Sequence, residues 1–384
     1  MCPMKQIRHF RRIPLLLALV LLFSVCLTAC AEEAESEFTI EGTTLVSYNG
    51  PGGEVTVPEG IEKIGTWAFK NSRVTKVNLP ETLKELDSFC FFSCSLLTDI
   101  TLPASLQYLE YGPDGMVKSQ VFAFNYSLQE IKVAEGNPWY QSVDGVLYTA
   151  DGKTLLYYPS GRDKYGDYVI PEGTEKLGYS PFSDVYMGSV TIPSTLVNLR
   201  DVTNPFAGLL AGEFIVSPDN PKYYAENGMF CKGNTLIAYP SNKHEEELTK
   251  DGFPEKVTRI GGTAFSNNQY LKTLEFPDRI RLLDWMACGC MHSLESVTIP
   301  SSVKSISAYC FDGCLNLRQV TILNPDVELM TNDILEEQYR EHNSYEIFRD
   351  DEQVVLYGYD GSTTQQYAER YSLPFESLGP APKK

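Results

Sequence analysis

Leu294-Glu-Ser-Val-Thr-Ile-Pro-Ser-Ser-Val-Lys-Ser-Ile-Ser-Ala-Tyr-Cys-Phe-Asp-Gly-Cys-Leu-Asn-Leu317 holds one complete unit of the pattern that organises most of this chain. Val297 and Ile299 alternate with Ser296 and Thr298, so an extended backbone puts two apolar side chains on one face and two short polar ones on the other. Pro300 ends that strand, because proline cannot donate to a ladder. The chain then turns through Val303 and Ile306 to a Cys-Phe corner, and Leu317 begins the next strand. Working outward, Thr82 to Cys94 matches Ser302 to Cys314 position by position, and Gly60 to Phe69 matches Glu255 to Phe265 with a one-residue shift. Prolines punctuate the series at Pro58, Pro80, Pro103, Pro171, Pro193, Pro254, Pro277 and Pro300, and the uninterrupted intervals are 22 or 23 residues. No unit this short buries its own apolar face. Stacked at about 4.8 Å, neighbouring coils bury it together, and their strands form a parallel sheet. The expected fold is a mainly β solenoid.

Two longer intervals carry copies of a second unit. Asn137-Pro-Trp-Tyr-Gln-Ser-Val-Asp-Gly-Val-Leu-Tyr148 aligns with Asn220-Pro-Lys-Tyr-Tyr-Ala-Glu-Asn-Gly-Met-Phe-Cys231. Each is followed by another apolar strand, Thr154 to Pro159 or Thr235 to Pro240, across a Gly-containing turn. A β-hairpin thus interrupts the coils near 137–160 and again near 220–241. The ends read as caps: Phe38 to Val57 as a short hairpin, and Val355 to Glu369 as a strand leading through Asp360-Gly361 into a short helix, closed by Tyr371 to Leu378. A solenoid needs both ends covered.

The pattern L-x-x-V-x-I-P-x-x-V-x-x-I-x-x-x-A/C-F-x-x-C-x-x-L resembles the BspA-like, or treponemal-type, surface leucine-rich repeats over nearly all of Phe38 to Leu378. The resemblance implies a leucine-rich-repeat solenoid over 38–330, a C-terminal cap over 331–378 and a tail at 379–384. It also implies a non-catalytic role at the cell surface, in adhesion or envelope recognition. A structural or accessory envelope scaffold without a dedicated ligand is the alternative.

Residues 1–29 read as an export signal. Lys5, Arg8, Arg11 and Arg12 precede an uncharged run from Ile13 to Leu27, short for a bilayer span of roughly 20 residues. Leu27-Thr-Ala-Cys30 resembles the lipobox of bacterial lipoproteins, which implies cleavage before Cys30 and a diacylglyceryl group on its sulfur. Ordinary cleavage after Ala29 is the alternative. The expected location is the extracytoplasmic face of a membrane, with an acidic tether at 30–37 whose slack is at most about 25 Å. Losing four basic residues leaves 28 Lys and Arg against 50 Asp and Glu, a net charge of −22. Such a chain repels nucleic acid.

Chemistry is sparse. His244, His292 and His342 are the only histidines beyond the signal, and no GxSxG, HExxH or phosphate-loop pattern occurs. The expectation is no enzyme, no metal and no small-molecule cofactor. Cys288-Gly-Cys-Met-His292 is the best metal candidate, since an extended segment would point all three ligands one way. Against it, Cys288 falls at the corner position of Phe69, Phe91, Phe265 and Phe311, and no fourth ligand is proposed. Cys90 and Cys310 share a small site with Ala68, Ala264 and Ala287, while Cys94 and Cys314 repeat in step. Structural thiols are the better reading; disulfides among Cys288, Cys290, Cys310 and Cys314 stay open. Glu245-Glu-Glu247 and Asp350-Asp-Glu352 read as solvated loops.

What remains is surface. Lys76, Asn78, Asp99, Thr101, Glu275, Thr298 and Thr321 fall at outward strand positions, predicting one continuous polar strip suited to a weak, repetitive ligand such as a glycan or an extended peptide. Trp139 and Tyr140, with Tyr148, Tyr157 and Tyr158, crowd the first hairpin, either to stack on a partner or to pack across strands. The expected partners are an extracellular or envelope protein or glycan, and the membrane through Cys30.

Overall fold

The computed structural model describes residues 37–109, 112, 120–199, 205–206, 208–329, 347–348 and 353–383. The signal, Cys30, most of the tether, His342 and Asp350–Glu352 lie outside the described residues.

The chain is a parallel β-solenoid whose coils have three sides. Longer strands of alternating apolar and polar residues line one side. Lys76 pairs with Asp99, and Ser296 with Gln319, so partners lie one coil apart in register. Two-residue strands line the second side: Lys63–Ile64 on Glu85–Leu86, and later Arg259–Ile260, Leu282–Leu283, Ser305–Ile306 and Glu328–Leu329 in succession. The corners line the third. There Phe69 N donates to Cys90 O, Phe265 N to Ala287 O and Cys288 N to Cys310 O, at 2.8–2.9 Å. At Pro80, Pro103, Pro171, Pro254, Pro277 and Pro300 the proline carbonyl accepts from the third residue on, as in Leu83 N to Pro80 O and Val303 N to Pro300 O, both 3.1 Å. The proline both ends the ladder and anchors the turn.

Corners turn tightly by placing two residues in the left-handed region, such as Trp67 and Asn71, Phe89 and Ser93, or Thr263 and Asn267. For non-glycine residues this costs about 1–2 kcal/mol each. What offsets it is the side chain between them: Phe69, Phe91, Phe265 and Phe311 are fully buried, each stabilising by about 1.5–3 kcal/mol. Phe91 lies between Phe69 and Phe122, with ring centroids at 5.0 and 5.7 Å. Cys288 takes the phenylalanine position and is buried. Because 288–292 is a corner and not an extended segment, Cys288 enters the core while His292 is exposed. The expectation that Cys288, Cys290 and His292 point one way is therefore corrected.

The long-strand side is not one sheet. It divides into a four-stranded sheet (Gly53–Thr56, Val74–Asn78, Asp99–Leu102, Glu130–Val133), a three-stranded one (Tyr168–Val169, Val185–Ile192, Leu209–Val216) and a six-stranded one that starts at Glu247–Leu248 and ends at Phe375–Pro380. Each break is an insert. Tyr140–Val143, Val146–Thr149 and Thr154–Tyr157 form an antiparallel meander whose last strand rejoins the short ladder at Lys176–Leu177. Tyr223–Glu226, Met229–Lys232 and Thr235–Ala238 repeat the arrangement, rejoining at Arg259–Ile260.

Both ends are capped. Phe38–Glu41 and Thr44–Tyr48 form an antiparallel hairpin, but Gly53–Thr56 already belongs to the first coil. At the other end Val355–Asp360 continues the sheet, the helix Thr363–Tyr371 starts on Ser362, whose hydroxyl accepts from Gln365 N, and Phe375–Pro380 closes in parallel. None of the helices among the described residues is long and apolar enough to cross a membrane.

Candidate functional site

The predicted polar residues fall on the outward side as expected, but in separate groups. Lys76, Asn78, Asp99 and Thr101 surround a shallow depression of about 140 Å³ on the first sheet. Their polarity is partly committed to one another's neighbours. Lys76 Nζ bridges to Glu54 at 2.9 Å, and Asn78 donates to Glu54 (3.1 Å) and Thr56 (3.2 Å). That hydrogen bond raises the Lys76 ammonium above its ordinary pKa. Glu275, Thr298 and Thr321 stand in register on three adjacent strands of the last sheet. The predicted continuous strip is broken twice, and for one reason. Ile131 N donates to Gly145 O and Phe214 N to Gly228 O, both at 2.9 Å. The hairpin tip takes the bond that the next long strand would have taken.

At the first hairpin the aromatics separate into two kinds. Tyr148, Tyr157 and Tyr158 are buried and Tyr140 is 9% exposed, its hydroxyl donating to Gln107 O at 2.8 Å. These rings pack. Trp139 is 39% exposed and rims a cleft of about 680 Å³ with Tyr140, Gln107, Thr154, Lys176 and Asn198. Asn137 fixes the indole there: its Nδ2 donates to Pro103 O (2.9 Å) and Leu106 O (3.1 Å), and its Oδ1 accepts from Trp139 N (2.8 Å) and Tyr140 N (2.9 Å). The cleft opens on the short-strand side, where the insert separates Tyr108 from Thr154. Gln107, Lys176 and Asn198 were missed because outward positions were sought only on the long strands. For Lys176 and Asn198 the signal was available: both occupy the outward place of the short ladder.

A second aromatic series was also missed. Trp67, Phe89, Phe92, Phe124 and Tyr126 follow one another along the corners at centroid distances of 4.4–6.2 Å. Trp67 lies parallel to Phe89, and the Lys70 ammonium sits 4.5 Å from its ring. Each ring packs on a neighbour and Trp67 also carries an ammonium, so the ladder reads as cohesion between coils, with Trp67 (39%) and Tyr126 (40%) still exposed at its ends.

Burial pushes the Cys94 thiol up to about 11 and Cys231 up to about 12, and holds Cys90 and Cys288 well above the ordinary value. The seven described cysteines form no disulfide with one another. Among the described residues no three His, Cys, Asp or Glu side chains converge as a metal-binding set.

Residues 52–138 and 235–339 match the sequence model of the BspA type leucine rich repeat region, in six copies. No curated protein matches the chain. Solved structures with a similar fold include a leucine-rich repeat protein from Eubacterium ventriosum (20% identity, 76% of this chain and 70% of that one, TM-score 0.44). The pneumococcal vaccine antigen PcpA (16%, 90% and 96%, TM-score 0.43) and a leucine rich cell surface protein from Faecalibacterium prausnitzii (19%, 86% and 94%, TM-score 0.44) are others.

Proposed function

Since this chain belongs to the BspA-type leucine-rich repeat family, we propose that it is a non-catalytic binding module, displayed outside the cell and lipid-anchored through Cys30, that holds a glycan in the cleft beneath Trp139. One observation carries the reading: an indole that stacks on no other ring among the described residues, its backbone held by Asn137, rims a cleft furnished with two amides, several hydroxyls and an ammonium. Sugars are recognised by that combination, an aromatic face for their C–H surfaces and directional polar groups for their hydroxyls. Tyr140 positions and does not touch: its hydroxyl is already committed to Gln107 O. A short tether keeps such a site close to its own membrane, which favours envelope polysaccharide over a distant surface. A glycan array with the soluble mature chain tests this. Trp139→Ala should abolish the signal and Lys222→Ala, at the matching position of the second insert, should leave it. An array silent with the wild-type chain, or one indifferent to Trp139→Ala, refutes it.

A further inference from the structure

The two inserts are an internal control for each other. Glu130, Asp144, Gly145 and Arg162 of the first correspond to Glu213, Asn227, Gly228 and Lys243 of the second. Matching hydrogen bonds fix the equivalence. Ile131 N to Gly145 O repeats as Phe214 N to Gly228 O, Gly161 N to Leu128 O as Asn242 N to Ala211 O, and Arg162 N to Pro159 O as Lys243 N to Pro240 O, each pair with equal lengths.

The space between these residues is filled differently. At the first interruption the Arg162 side chain, 18% exposed, lies across the gap and its Nη2 meets Asp144 Oδ2 at 2.6 Å. A Cβ added to Gly145 would meet Arg162 Nη1 at 2.8 Å and Glu130 Cβ at 2.9 Å, so the guanidinium packs directly on that turn. At the second, aspartate has become Asn227, whose amide donates instead to Gly252 O at 3.0 Å. Lys243 pairs instead with Glu245, at 2.9 Å. A Cβ added to Gly228 would find Glu213 as its nearest neighbour, the closest atom at 3.3 Å. What the guanidinium fills in one copy is open in the other, as part of a cleft of about 710 Å³.

The walls of that cleft say what fits. One is Gly212–Glu213 at the edge of the three-stranded sheet; the other is Glu247–Leu248, the first strand of the six-stranded sheet. The cleft thus lies between the edges of two sheets; the insert already takes the Phe214 amide and the Ala211 carbonyl, so what stays open is room for a side chain offered by an extended segment laid along it. Glu213, Glu245, Glu247 and Asp251 line it against one ammonium, that of Lys243. Glu213, Glu247 and Asp251 have no side-chain partner among the described residues. A planar guanidinium with forked donors suits several carboxylates better than an ammonium does, and this fold already holds one at the equivalent place.

We propose that the cleft at the second interruption binds an arginine side chain presented by an extended basic segment of a partner protein. The site is separate from the Trp139 cleft, and either stands without the other.

The mature chain can be titrated into a fluorescein-labelled peptide of alternating Arg and Thr, and into its Lys-for-Arg counterpart, with anisotropy read at about 0.15 M salt to screen diffuse attraction. The Arg peptide should bind at least about tenfold more tightly than the Lys peptide. The double variant Asn227→Asp, Lys243→Arg restores the closure seen at the first insert and should weaken the Arg peptide about tenfold or more. Glu213→Gln with Glu247→Gln, which alters only exposed side chains, should do the same should the closure variant not fold. Trp139→Ala should leave peptide affinity within about twofold. Equal binding of the two peptides, no binding at all, or affinity unchanged in whichever cleft variants fold would overturn the proposal.

Discussion

Asn137 ties the first insert to the solenoid, and replacing it tests whether one side chain positions the Trp139 cleft. Asn137→Ala removes both bonds from Nδ2 to the carbonyls of Pro103 and Leu106, and both bonds to Oδ1 from the Trp139 and Tyr140 amides. At a net value of about 1 kcal/mol each, four bonds set an upper bound of about 4 kcal/mol. Asn137 is half-buried, so water recovers part of this, leaving an expected loss of about 2–3 kcal/mol. Asn220 makes the same four contacts, to Pro193 O, Leu196 O, Lys222 N and Tyr223 N. Asn220→Ala should cost as much, and the double variant about the sum, because the two share no partner. Long repeat arrays lose two-state cooperativity, so local hydrogen exchange is a sharper probe than global melting. The Trp139 and Tyr140 amides should exchange roughly 30- to 160-fold faster in Asn137→Ala, corresponding to that loss of local stability. If both amides exchange as in wild type and urea unfolding shifts by less than about 0.5 kcal/mol, the side chain does not fasten the insert and the argument fails.

Two further outcomes follow from the core. Phe91→Ala empties the middle of the Phe69–Phe91–Phe122 stack and should cost about 3–5 kcal/mol by urea denaturation; a loss near 1 kcal/mol would mean the corners collapse around the hole. The buried thiols predict alkaline sensitivity. Cys94 and Cys231 hold their protons to about 11 and about 12 in the fold, against an ordinary value of 9.0, so above that value the unfolded chain binds fewer protons than the native one. Their contribution is complete below pH 9 and is lost as pH rises from there through 11 and 12. Under reducing conditions the melting temperature should fall steadily over that window, and a flat profile to pH 11 would contradict it.

Most of the coil was legible because its determinants are local and periodic. The Val297–Ile299 alternation, the proline after it and the Ala/Cys-Phe corner each act within a few residues, and repetition confirmed them. The register of Glu275, Thr298 and Thr321 followed directly. Breaks in the long-strand side were not legible. They depend on where Gly145 and Gly228 come to rest, against Ile131 and Phe214, which is a contact between the insert and the coil before it. Likewise Glu245–Glu247 read as a solvated loop, although Glu247 begins a strand and, with Glu245, lines a cleft. A run of carboxylates carries no sign of what faces it. The fate of the hairpin aromatics turned on burial: Tyr140 and Trp139 are adjacent in sequence, yet one is packed and the other exposed.

These breaks, with the separation of Tyr108 from Thr154 on the short-strand side, explain why the candidate sites lie at the inserts and not along the regular coils. Coils stacked at about 4.8 Å leave no room between strands, and a missing strand opens about twice that spacing, enough for a sugar ring or one extended peptide. On the uninterrupted face each outward residue has a neighbour one coil away, as Lys76 has Glu54 and Ser296 has Thr273, so polar groups there satisfy each other first. At a break that neighbour is gone. Glu213 has no next strand to pair with, and at the first insert Arg162 was needed to fill the equivalent space. An insert also leaves the core in place, since Phe214, Phe230 and Tyr239 remain buried through the second one. Residues such as Asn227, Lys243 and Lys222 can therefore differ from Asp144, Arg162 and Trp139 without loss of packing. The same structural unit closes one gap and leaves the other open.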